Sequence, residues 1–114
     1  MQQIVDLENS PEFLAENVAL LSIARDAPAE LAAGALESGI VKTSLLSDAD
    51  KKVSASYDVL KWAIPSGEPG HTFVLVNQDG TIAWIKDYGA PDNPERTMYV
   101  PIEELIQAVR DNLK

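Results

Sequence analysis

Apolar positions are densest between Phe73 and Ile85, where the runs Phe73 to Val76 and Thr81 to Ile85 flank Asn77-Gln78-Asp79-Gly80. Continuous apolar residues bounded by turn chemistry predict strands covered on both faces, and the Asp-Gly pair between them predicts a β-hairpin. Val18 to Ala24 is a second short apolar run, the pattern of a covered parallel strand. Pro28 to Ser38 is rich in alanine and leucine and predicts a helix with Leu31, Ala35 and Leu36 on its buried side, stopped by Gly39. Near the C-terminus Ile102, Leu105, Ile106, Val109 and Leu113 fall on one stripe of a helix opened by Pro101. Its Glu103 and Glu104 come early and its Arg110 and Lys114 late, as the helix dipole favours.

Weaker patterns fill the gaps. Ile4, Val5 and Leu7 among polar residues, then Ser10-Pro11-Glu12, predict a first helix that breaks or restarts near Pro11 and runs to about Glu16. Ile40 to Leu46 is read as a short extended piece. Ser47 or Asp48 can cap a short helix through Tyr57, with Val53 and Tyr57 four apart on one face. Leu60 to Gly70, with two prolines and two glycines, predicts a loop into the hairpin. Asp87 to Val100, with Pro91 and Pro94, predicts an irregular return to the last helix. The order α, β, α, short α, β, β, α predicts an α/β fold. Its mixed sheet would have about three strands with helices on both faces, in a single domain over residues 1–114.

Composition narrows the function classes. Nine basic against eighteen acidic residues, a net charge of -9, repel phosphate backbones and anionic lipid, so nucleic-acid and membrane-surface roles are not expected. With 46% hydrophobic and 24% charged residues the chain reads as a soluble globular protein without a membrane span or a secretory signal, which leaves the compartment open with a lean toward the cytoplasm. There is no cysteine, which removes disulfides, thiolate metal sites and thiol catalysis by these residues.

Three stretches in order, VALLSIARDAP, LLSDADKKVSASYDVL and HTFVLVNQDGTIAW, resemble the alkyl hydroperoxide reductase and thiol-specific antioxidant family, a peroxiredoxin-like branch of the thioredoxin fold. The likeness spans about Gln2 to Leu113. It implies cell redox homeostasis and antioxidant chemistry by a thiol peroxidase or disulfide oxidoreductase, with no cofactor. In that family a further strand precedes a helix that begins with the reactive cysteine. Met1 to Glu8 resembles the later part of that helix, so the sequence reads as N-terminally truncated. A peroxidatic cysteine attacks as a thiolate and becomes a sulfenic acid, and neither serine nor histidine replaces that sulfur. The 114 residues alone are therefore expected to be inactive, with no catalytic residue among them.

The resemblance places Gly70, His71 and Thr72 beside the family's active site. Where relatives carry a cis-proline or an arginine ahead of the Thr-Phe strand, this chain has His71, and Pro69 stands two residues early. His71 is read either as a group facing an upstream cysteine or as an ordinary loop side chain. One histidine makes no metal site, and Asp26, Asp48, Asp50 and Asp79 sit at caps and turns, so no metal is expected. Ser44, Ser47, Ser54 and Ser56 lack a nucleophile elbow and read as capping or surface residues. Trp62, Trp84, Tyr88 and Tyr99 read as packing beneath the long loops, with a pocket or dimer face as the alternative.

Two functions stay open: the larger part of a thioredoxin-fold peroxidase or oxidoreductase, or a cysteine-free binding or dimerisation module. In the family's arrangement the absent strand lies between the Val18 to Ala24 strand and the Phe73 to Val76 strand. The gap would be closed by direct pairing of those two strands, by a strand from a second copy in a homodimer or swapped oligomer, or left open in a marginally ordered chain.

Overall fold

A computed structural model describes residues 1–67 and 70–113. Pro69 and Lys114, both named above, lie outside the described residues. Two compact units, Met1–Asp58 and Val59–Lys114, are each described by themselves.

In the first unit, helix α1 (Gln2–Glu8) ends before Ser10, whose hydroxyl accepts from the Phe13 amide at 3.2 Å and starts α2 (Pro11–Ala15). The expected break at Pro11 follows from that cap and from a proline at the first helical position. Strand β1 (Leu21–Ala24) starts later than the apolar run that predicts it. Its parallel partner β2 (Ser44–Ser47) has four residues as well, and the two pair along their whole length, from Leu21 opposite Ser44 to Ala24 opposite Ser47. Helix α3 (Pro28–Ser38) closes at Gly39 in the left-handed region, φ 79°. Leu31 is buried and Ala35 half-buried, but Leu36 is 87% exposed and does not belong to the buried side.

Helix α4 (Lys52–Ser56) is preceded by Lys51 rather than Ser47 or Asp48. Asp48 still serves its amides from a distance. Its carboxylate accepts from the Val53 amide at 3.1 Å and from the Ser54 amide and hydroxyl at 2.7 Å each. Val53 is exposed and Tyr57 half-buried, so the helix buries Ser54 rather than the Val53 face.

The second unit begins with a 3-10 turn (Leu60–Trp62) inside the expected loop, then the hairpin of β3 (Thr72–Val76) and β4 (Ile82–Asp87). The turn forms where Asp-Gly predicts it. The Gly80 amide donates to the Asn77 carbonyl at 2.9 Å, and the Asp79 carboxylate accepts from the Thr81 amide at 3.0 Å and hydroxyl at 2.6 Å. Leu75 faces Trp84 and Val76 faces Ile82, so Ala83 is an extra residue that bulges β4. Helix α5 (Ile102–Asn112) packs on β4 and buries Leu105, Ile106 and Val109, while Leu113 stays outside the helix.

The α/β class holds, and the sheet count needs correction. Among the described residues four strands form two two-stranded sheets, β1 with β2 and β3 with β4, instead of one sheet of about three strands. Of the extended piece expected at Ile40 to Leu46 only the end is strand, as part of β2, which pairs with β1 within the first unit. Neither apolar run is covered on both faces: Leu21 and Ile23 alternate outward at 58% and 41% exposure, and β3 is half-buried up to the exposed Val76. A sheet with helices on one face shows its other face to water.

Candidate functional site

The segment Gly70-His71-Thr72 enters β3, and three neighbours determine its course. The first is Gly89. A Cβ there would press on the His71 backbone nitrogen and stand 3.2 Å from the Gly70 carbonyl carbon, so two backbones run in contact with no room for a side chain. The second is the Tyr88 amide, which donates to the His71 carbonyl at 2.8 Å and extends the hairpin ladder one step past β4. The third is Asp87. Its Oδ1 accepts from the Thr72 hydroxyl at 2.9 Å and the Gly89 amide at 3.3 Å, and its Oδ2 accepts from the Ala90 amide at 2.8 Å.

The return segment that supplies these contacts is itself tied down. The Arg96 Nε donates to the Gly89 carbonyl at 2.9 Å, the Thr97 amide to the Tyr88 carbonyl at 2.9 Å, and the Glu95 amide to Asn93 Oδ1 at 2.9 Å. Tyr88, Ala90 and Val100 are buried within it. Proline-rich sequence makes this stretch irregular, and side-chain acceptors make it ordered.

The His71 ring meets Phe73 edge-on at 5.0 Å, and Phe73 meets Tyr88 edge-on at 5.8 Å. Burial pulls the His71 pKa below its usual value, opposed by the negative charge of Asp87. Burial thus favours the neutral imidazole, which can donate from one nitrogen and accept at the other. The Tyr88 hydroxyl donates to Glu104 at 2.5 Å, and Lys86 lies 4.9 Å from the Tyr88 ring centre and 3.9 Å from Glu104. Burial, then the bond to Glu104 and its charge, push the Tyr88 pKa well above the usual 10.

Tyr88→Phe should lower stability by about 1 kcal/mol, the net worth of one hydrogen bond. Stability of the parent should also fall as pH rises past the ordinary tyrosine value, because the folded state holds the phenolic proton more tightly than the unfolded chain. Denaturant melts at neutral and alkaline pH check both points, and a Tyr88→Phe protein with an unchanged alkaline limb would count against Tyr88 as its source.

Other candidate residues serve local structure. Ser47 Oγ donates to the Asp26 carbonyl at 2.7 Å, Ser54 to Asp48, and Ser56 to the Val53 carbonyl at 2.7 Å. Asp50 accepts from the Lys52 amide at 3.1 Å. Among the described residues no group of three His, Asp or Glu side chains comes together as metal ligands. Trp62 borders a groove with Ile85, Ala90 and Pro94, Trp84 is half-buried, and Tyr99 is 40% exposed rather than packed beneath a loop. Asp87 and Gly89 escaped the sequence reading. Their only signal is position immediately after an apolar run, which does not distinguish a buttress from a loop.

The family model described as AhpC/TSA family matches residues 2–85, which takes in β1 to β3 and most of β4. No curated protein matches the chain. Among the described residues no helix is long and apolar enough to cross a membrane.

Proposed function

The chain belongs to the AhpC/TSA family, and from that premise we propose that these residues are the cysteine-free part of a thioredoxin-fold thiol peroxidase or disulfide oxidoreductase acting in cell redox homeostasis. Gly70, His71 and Thr72 flank the reactive sulfur, which comes from outside residues 1–114. The observation that carries this reading is the family match across residues 2–85 in a chain with no cysteine. Family membership supports the redox assignment. The missing sulfur limits these residues to building and shaping the site, because peroxide reduction needs an oxidisable thiolate.

The 114-residue protein, given hydrogen peroxide or an organic hydroperoxide with dithiothreitol, should consume peroxide no faster than the reductant alone. Saturable turnover would overturn the reading. Intact mass of the protein from its source cells is the companion measurement. A larger species whose peroxide consumption is abolished by thiol alkylation supports the proposal, whereas a mass near 12.4 kDa favours the second reading.

That second reading is a non-catalytic binding or dimerisation module. It is favoured by the outward alternation of Leu21, Ile23 and Leu46, which share one face of the β1–β2 sheet through the pairing of Ile23 with Leu46. Gel filtration tests the dimerisation part of this reading: a monomer at all concentrations removes homodimerisation and strand swapping.

A further inference from the structure

Asp87 ends β4, and its carboxylate bonds to both sides of the crossing between the Gly70-Thr72 segment and the return turn. On one side it holds the first residue of β3 by the Thr72 hydroxyl. On the other it collects the Gly89 and Ala90 amides, which bends the chain after β4 so that Gly89 lies flat against His71. All three bonds run from donors to a carboxylate, and such charge-assisted bonds are about twice as strong as neutral ones. An uncharged side chain of the same size does not reproduce them, because an amide nitrogen at Oδ2 would point a donor at the Ala90 donor.

We propose that Asp87 is the positioning residue of the candidate site, clamping the entry of β3 to the 88–90 turn so that Gly70, His71 and Thr72 keep one geometry. The inference rests on the reading of that segment as the wall beside the reactive sulfur. Asp87 touches no reacting group in this scheme. It acts through Thr72 and through the glycine crossing, and the ring stack of His71, Phe73 and Tyr88 depends on both.

The test is amide hydrogen exchange by NMR on the 114-residue protein, read at Tyr88, whose amide bonds to the His71 carbonyl and not to Asp87. In Asp87→Asn and in Thr72→Val, exchange at Tyr88 should quicken at least about tenfold, while Leu31 and Ile40 in the first unit keep their rates. Thr72→Ser, which keeps the hydroxyl, should restore protection to within about twofold of the parent. Unchanged Tyr88 protection in both Asp87→Asn and Thr72→Val overturns the proposal, as does a Thr72→Ser protein that exchanges as fast as Thr72→Val. If Asp87→Asn does not fold, the two Thr72 variants decide the matter alone. Should peroxide chemistry fail in every longer form of the protein while Tyr88 responds as described, the site reading falls and the clamp stands.

Discussion

Replacing Gly89 with alanine is expected to cost about 3 kcal/mol, near the upper end for a single overpacking change. The new methyl carbon would overlap the His71 backbone nitrogen and lie 3.0 Å from the His71 Cβ. Side chains can swing away from such a contact, but a backbone nitrogen moves only with its whole segment. Relief requires parting two strands of chain, which stretches the Tyr88 to His71 bond at 2.8 Å and the Arg96 to Gly89 bond at 2.9 Å. Gly70→Ala offers a graded comparison, since its Cβ would meet the Gly89 carbonyl oxygen at 3.0 Å, a milder approach. It should destabilise by less. The double variant should cost less than the sum of the two, because one separation of the chains relieves both contacts. Urea melts of the three proteins measure this, and a Gly89→Ala protein as stable as the parent would refute the close crossing.

Glu8→Gln is the second large effect, expected to lower the melting temperature by roughly 10 °C. Glu8 is 3% exposed, and its carboxylate accepts from the Val41 amide at 2.9 Å, the Lys42 amide at 3.2 Å, and the Thr43 amide and hydroxyl at 3.1 and 2.8 Å. A ring of donors around an acceptor-only group leaves no place for the amide nitrogen of glutamine. The bond from the Val41 amide is the largest influence on Glu8. Together with the Thr43 hydroxyl and the Lys42 and Thr43 amides it lowers the pKa below the usual 4.5 despite the opposing effect of burial. A carboxyl that is more acidic in the folded state adds stability in full above about pH 4.5 and loses it as pH falls through the lower folded value. The difference between parent and variant should therefore shrink in acid. A gap that is the same at neutral pH and at about pH 3 would remove Glu8 as a source of acid sensitivity.

These two positions lie where the reach of local sequence signals ends. Such signals were dependable when the physics was local. Proline at the start and glycine just past the end bounded α3, Ser10 capped α2, and Asp79-Gly80 closed the hairpin with side-chain bonds inside four residues. The stripe of α5 buried Leu105, Ile106 and Val109 because helical period and apolar spacing coincide. Leu36 failed the same logic in α3, since an alanine-rich helix has no sharp apolar face and the surrounding chain decides which side is covered.

The candidate site was legible only as a location. Gly70, His71 and Thr72 were marked only by the family resemblance, aligned through the Asp79-Gly80 turn, whereas Asp87 and Gly89 act across fifteen or more residues and have no local signature. The same holds for Glu8, whose partners stand more than thirty residues away. Taken alone, the sequence determined the element types, the hairpin turn, the family and the lack of any thiol chemistry within residues 1–114. The elements and the turn depend on periodicity and short-range bonding, the family on the likeness of three ordered stretches, and the lack of thiol chemistry on the absence of cysteine. Tertiary structure alone decided that β2 pairs with β1, that a buried carboxylate organises residues 41–43, and that two glycines bring backbones into contact at the candidate site. Long-range pairing is a competition among surfaces, settled by which donors, acceptors and apolar faces meet once the chain has closed on itself.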